Sequence, residues 1–169
     1  MDAQNTVKAQ RQQRANRILA RLREVIPSVL TRYPVDAAYV YGSVARGTVM
    51  PFSDLDIALL LSPPLPPPYE RLKLELTLQG DIEDACGFYP VDVRAINQAP
   101  LMVQGQIIQQ GVLLYERDRA RRILFEVATR KRYFDFAPVA RRLQEVFLKR
   151  VHKEGLLYGQ SRNPDLDSQ

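Results

Sequence analysis

The chain has 169 residues, enough for one sizeable core, and its 46% apolar and 25% charged residues match an ordinary globular domain rather than a disordered or fibrous one. No apolar run approaches the roughly 18 residues of a membrane span, and the N-terminus MDAQNTVKAQRQQRANR lacks a signal-peptide core, so a cytoplasmic protein with no membrane contact is expected. The net charge of +5 is uneven: residues 1–32 hold seven Lys or Arg and two acids, residues 33–115 four and nine, and residues 116–154 twelve and six. Basic ends can meet an acidic partner or a nucleic acid, or simply solvate two amphipathic helices, while the acidic middle can hold cations.

Residues 1–17 form a polar, Gln- and Arg-rich extension with few apolar positions, expected to fray or to lengthen the first helix. From Ile18 the positions Leu22, Val25, Ile26 and Val29 follow helical spacing, Pro27 is expected to kink or divide that helix, and Tyr33-Pro34 ends it. Val35 to Tyr41 reads as a strand running into a tight loop at Gly42. Leu55 to Leu61 begins by alternating and becomes continuously apolar, as suits a central strand covered on both faces. Ser62 to Pro68 has five prolines in seven residues and is expected to be a stiff, exposed connection.

Residues 69–86 fit two periods, since Leu72, Leu74, Leu76 and Leu78 alternate while Leu74, Leu78 and Ile82 recur every four residues. Length favours a helix, because no turn signal intervenes before Gly87. Cys86, the single cysteine, is read as structural. Tyr89 to Ile96 is a third strand with Val91 and Val93 on one face and Asp92 on the other, Leu101 to Gln110 a helix closed by Gly111, and Val112 to Tyr115 a fourth strand. Arg117 to about Arg132 is helical. Tyr133 to Pro138 is expected to break it before a second helix with an apolar stripe at Val139, Leu143, Val146 and Phe147. Residues 155–169 are expected to form a disordered tail.

The chemistry-bearing residues come in order: Gly42-Ser43 after a strand, Asp54 and Asp56 opening another, and Asp92 in a third. Residues i and i+2 of a strand project to one face, so Asp54 and Asp56 can both reach divalent ions. Magnesium takes such oxygen ligands and keeps positions for substrate phosphates, and Asp92 is placed to complete a two-metal site. Gly42 admits a phosphate close to the backbone, Ser43 adds a hydroxyl donor, and Arg46, one turn on, can contact a triphosphate or serve as a salt-bridge partner. The plainer reading is that Gly-Ser is a turn and the acids cap and solvate a strand end. The succession of strand, glycine, paired acids and further acid favours a metal-dependent phosphate role.

Tyr41-Gly42-Ser43-Val44-Ala45-Arg46-Gly47, Ser53-Asp54-Leu55-Asp56-Ile57-Ala58 and Pro90-Val91-Asp92-Val93 resemble the minimal nucleotidyltransferases of the DNA polymerase beta-like superfamily, particularly the MNT antitoxins paired with HEPN ribonuclease toxins. The similarity covers about Ile18 to Glu116. It implies an α/β (α+β) fold with a small mixed sheet of about four strands flanked by helices, a nucleotidyltransferase domain over 18–116 and a C-terminal helical extension over 117–154. It also implies Mg²⁺ and ATP as cosubstrates and transfer of AMP to a tyrosine of a cognate HEPN toxin, in a hetero-oligomer. Gly42 and Ser43 would hold the triphosphate, Asp54 and Asp56 would bind magnesium, and Asp92 would help activate the attacking hydroxyl. His152, the one histidine, lies far in sequence from these residues and is not assigned to catalysis. Two other functions remain: nucleotidyl transfer to a small molecule such as an aminoglycoside, and a non-catalytic antitoxin or nucleic-acid-binding module, the last not favoured.

Overall fold

The structure, a computed structural model, describes residues 3–88 and 90–154. Nine elements follow one another: α1 (Ala3–Leu30), β1 (Val35–Val40), α2 (Gly42–Ala45), β2 (Leu55–Leu61), α3 (Pro68–Cys86), β3 (Val91–Ala95), α4 (Leu101–Gln110), β4 (Val112–Glu116) and α5 (Arg119–Glu154). The four strands form one sheet in the order β3-β2-β1-β4. β1 runs antiparallel to β2 and to β4, and β2 runs parallel to β3, so the sheet is mixed as expected.

Side-chain parity sorts the core into two layers. Leu55, Ile57, Leu59 and Leu61 of β2 pack with Leu22, Ile26 and Leu30 of α1 and with Leu78 and Ile82 of α3. Ala58 and Leu60 face the other way, toward Tyr39, Ile107 and Ile108. A strand covered on both faces needs the continuous apolar run that β2 shows. Asp56 has the parity of Ala58 and Leu60, which puts its carboxylate on the second face at the N-terminal end of the strand.

α3 resolves the ambiguity of residues 69–86 in favour of helix. Leu78, Ile82 and Cys86 are buried while Leu72 and Leu76 are exposed, the pattern of i, i+4 spacing on one helical face. Ser62 to Pro67 makes the connection before it, and Gly87 ends it, its N–H donating to the Glu83 carbonyl at 2.8 Å. The proline connection is not wholly exposed, since Leu65 packs against the core.

Two expected interruptions are absent. α1 passes through Pro27 without dividing, and the break expected at Tyr133 to Pro138 is instead continuous helix. A proline removes one helical hydrogen bond, which a helix can lose and still continue. No glycine or asparagine stands between Tyr133 and Pro138 to turn the backbone. Residues 3–17 lengthen the first helix, one of the two outcomes expected, and they also pack where too few apolar positions were expected to, since Ala15 is fully buried. The tail expected over 155–169 lies outside the described residues.

By internal contacts the chain divides into two compact units, Met1–Tyr133 and Phe134–Gln169. The first turns of α5 fall within the first of these units. Glu126 of α5 accepts a hydrogen bond from the Tyr39 hydroxyl at 2.9 Å and pairs with Arg122 at 2.7 Å and Arg130 at 3.2 Å. The second unit exposes the apolar residues Val139, Leu143, Val146 and Phe147 of α5. Among the described residues no helix is long and apolar enough to cross a membrane.

The burial pattern of α3 predicts unequal effects for two leucines of the same sequence run. Leu78→Ala is expected to cost about 2–5 kcal/mol in urea unfolding, as truncation of a filled core does. Leu76→Ala, at a position 58% exposed, is expected to stay within about 0.5 kcal/mol of wild type. Equal losses would mean that the helix is rotated from the register described.

Candidate active site

β1 delivers the chain to Gly42, and α2 starts there with backbone φ of +65° at Gly42, a conformation that side chains with a Cβ rarely adopt. A second requirement falls on the same residue. A Cβ at Gly42 would lie 2.0 Å from an Asp56 carboxylate oxygen, so the loop can approach β2 only because no side chain is there. The Tyr41 N–H donates to the Asp56 carbonyl at 3.0 Å, fixing that approach from the backbone side. The close neighbour of Gly42 is thus the carboxylate itself.

The ladder between β2 and β3 pairs Asp56 directly with Asp92. Registered residues of adjacent strands share a face, so the two carboxylates stand side by side at the same end of the sheet. Asp54 precedes β2 and is exposed. Burial pushes the Asp56 carboxyl above the ordinary aspartate range, with the Asp92 and Asp54 charges adding to the rise and Arg46 opposing it. Arg46 caps the C-terminal end of α2 and acts on Asp56 through its field.

Two residues at this site are not singled out by the sequence reading. Arg94 stands two positions beyond Asp92 in β3, hence on the same face, and its Nε lies 2.9 Å from the Asp92 carboxylate. The same guanidinium approaches Glu75 at 3.8 Å. Tyr41, half-buried, has its phenol pushed up to about 12 by burial first and then by the charges of Asp56 and Asp92. The i, i+2 rule that joins Asp54 to Asp56 also reaches Arg94, whereas the packing of Tyr41 depends on the second core layer.

Ser43 carries a buried hydroxyl oxygen with no hydrogen-bond partner. An unmade hydrogen bond costs about 1–3 kcal/mol, so this atom is available to a ligand that supplies an acceptor. The donor set also suits a hard divalent cation: carboxylate oxygens in mutual repulsion beside an unpartnered hydroxyl. Among the described residues no three histidine, cysteine or carboxylate groups are gathered into a cage. That openness is compatible with magnesium, which keeps waters and substrate phosphates in its shell. His152 lies in α5, and its side chain is outside the described residues.

This fold and these residues define a nucleotidyltransferase, and the chain belongs to the polymerase beta nucleotidyltransferase family, whose pattern matches residues 24–120. Curated proteins give no match. Several solved structures are similar, among them the following three. A toxin-antitoxin crystal structure with AMP-PNP is 27% identical, with 79% of this chain and 98% of that chain covered and a TM-score of 0.52. A mutant MntA-HpeT toxin-antitoxin, with two aspartates one residue apart changed to glutamate, is 25% identical, with 79% and 98% covered and a TM-score of 0.52. A structure from Shewanella oneidensis is 25% identical, with 78% and 98% covered and a TM-score of 0.52.

Two variants test this geometry without any substrate. Gly42→Ala is expected to lose at least the about 1–2 kcal/mol cost of a left-handed non-glycine residue, and more because the methyl group displaces Asp56. Unchanged urea stability would show that the loop does not approach β2 so closely. For Asp56 the folded chain holds its proton to higher pH than the unfolded chain does, so stability falls as pH rises through the folded value. Asp56→Asn is therefore expected to melt higher than wild type at pH 7 in EDTA, with the gain vanishing below about pH 4, the ordinary aspartate range. A gain of the same size at both pH values would contradict the cause given.

Proposed function

We propose that this chain is a Mg²⁺-dependent adenylyltransferase antitoxin that transfers AMP from ATP to a tyrosine of a cognate HEPN ribonuclease toxin. The pairing of Asp56 with Asp92 beside Gly42 and Ser43 carries the reading, because it combines a cation site with a phosphate loop at one end of the sheet. The AMP-PNP complex of a similar toxin-antitoxin supports an adenine nucleotide and a toxin partner. The changed aspartates of the similar MntA-HpeT complex have the same spacing as Asp54 and Asp56.

In this reading Gly42 and Ser43 hold the β- and γ-phosphates, with the Ser43 hydroxyl gaining the partner that it lacks in the free chain. Asp54, Asp56 and Asp92 hold the magnesium, which when bound offsets phosphate charge and polarises the phosphoryl group. The acceptor oxygen attacks the α-phosphorus, the bond from that phosphorus to the bridging oxygen breaks, and pyrophosphate leaves. Asp92 takes the proton of the attacking hydroxyl in this reading, and Arg94 is its ion-pair partner. The hollow beside Tyr41, Arg94, Val103 and Ile107, about 280 Å³, offers apolar walls for the nucleoside. No nucleophile of the chain itself takes part.

Intact-mass spectrometry tests the proposal. A co-expressed HEPN partner is expected to gain one or more AMP units with ATP and Mg²⁺, none in EDTA, and none with Asp54→Ala or Asp56→Ala. Loss of one electrostatic contact in a phosphoryl-transfer site costs on the order of 100-fold or more in rate, well within detection. A partner modified equally by wild type and Asp54→Ala would overturn the metal assignment. Modification of an antibiotic panel with no effect on the protein partner would overturn the acceptor.

A further inference from the structure

The outer half of α1 carries a charge pattern that the nucleotidyl-transfer site does not use. Lys8, Arg11, Arg14 and Arg17 recur at every third position, and no acid occurs between residues 3 and 23. Among the described residues none of the four is ion-paired, in contrast to Arg21, which is held by Glu24 at 3.0 Å. Three residues turn a helix through about 300° and rise about 4.5 Å, so from Lys8 to Arg17 the row winds about half-way round α1 over about 14 Å of its axis.

The row borders three hollows, the first two against the loop after α2 and the third beside Phe88. The first, about 580 Å³, is walled by Lys8, Arg11 and the Arg46–Thr48 backbone. The second, about 250 Å³, lies between Arg11, Arg14 and the turn at Val49–Pro51. The third, about 550 Å³, runs past Arg14 and Arg17 to Phe88. Arg11 lines both the first and the second and Arg14 both the second and the third, so the hollows adjoin through shared cationic walls, a channel that winds about half-way round α1 rather than running straight along it.

The channel is held in shape from both sides. Gly47 has φ of +68°, and a Cβ there would lie 2.0 Å from the Gln12 amide oxygen, so α1 rests directly on the loop. Arg14 donates to the Pro51 carbonyl at 3.1 Å. Next in sequence to that contact, Phe52 is 94% exposed, an aromatic ring in open solvent. The amides of Gln10 and Gln13 line the same surface and supply neutral donors and acceptors.

We propose that this channel binds the phosphate backbone of a single-stranded nucleic acid. A single strand carries one negative charge per nucleotide and is flexible enough to follow four cations wound about the helix. Unpaired bases can stack on an exposed aromatic ring, which bases within a duplex cannot do, so Phe52 selects a single strand over a double one. An acidic peptide would satisfy the cations without accounting for the aromatic ring or the amides. The first hollow adjoins Arg46 of the proposed transfer site, but strand binding needs neither ATP nor a protein partner.

Fluorescence anisotropy of the full chain with a labelled single-stranded RNA of mixed sequence tests it, at salt from about 50 to 200 mM. Four phosphate contacts predict a slope of log affinity against log salt of about −3. Changing Lys8, Arg11, Arg14 and Arg17 together to Gln is expected to weaken binding at least about tenfold and to flatten that slope, with the melting temperature unchanged. Phe52→Ala is expected to cost about fivefold or more and to leave the slope in place. Unaltered affinity in the fourfold variant would overturn the proposal, as would tighter binding of duplex RNA or of polyglutamate than of the single strand. Because the assay contains no ATP and no partner, its failure would leave the adenylyl-transfer reading standing, and the reverse also holds.

Discussion

Two carboxylates that repel one another are kept side by side by the parallel ladder of β2 and β3, and the arrangement of the site follows from that enforced pairing. Asp56 cannot move away, because the residues after it on β2 are packed on both faces of the sheet. Asp92 cannot move far, because Val91 and Val93 anchor its strand in the core on either side. The folded chain bears the cost as a raised Asp56 pKa and recovers part of it through Arg46 and the Arg94 ion pair. An apolar core thus holds charged groups in an arrangement that water alone would disperse, the usual condition of a site preorganised for charge.

The same reasoning separates what the sequence could tell from what it could not. The strands and the shared face of Asp54 and Asp56 rest on local periodicity, which survives in one dimension. Over 69–86 the periodicity fits helix and strand alike and length decides for the helix, whose Leu78 and Ile82 fill the core. The register that sets Asp56 against Asp92 is not local. It depends on two strands separated by α3, and only the shared parity of their side chains hinted at it. Arg94 was within reach of the rule applied to the aspartates, and it was missed because a cation in an acidic strand does not look like part of a metal site.

The prolines mislead in a consistent way. Pro27 and Pro138 both sit inside helices that continue past them, because each removes a single backbone bond from a helix supported elsewhere. In α1 that support is the buried row Leu22, Ile26 and Leu30. In the first part of α5 it is the Tyr39 hydroxyl on Glu126, which ties the helix to the sheet across more than eighty residues of chain and leaves no signature in local sequence.

α1 is at once the inner wall of the core and the outer wall of the cationic channel, which makes helical phase a shared property of the two. One residue inserted between Arg17 and Leu22 would turn everything before it by about 100° and advance it by about 1.5 Å. Gln12 would leave Gly47, Arg14 would leave Pro51, and the four cations would face new surroundings while Leu22, Ile26 and Leu30 kept their places. Point substitutions along α1 can vary its charge freely, but its length between channel and core is fixed to the residue.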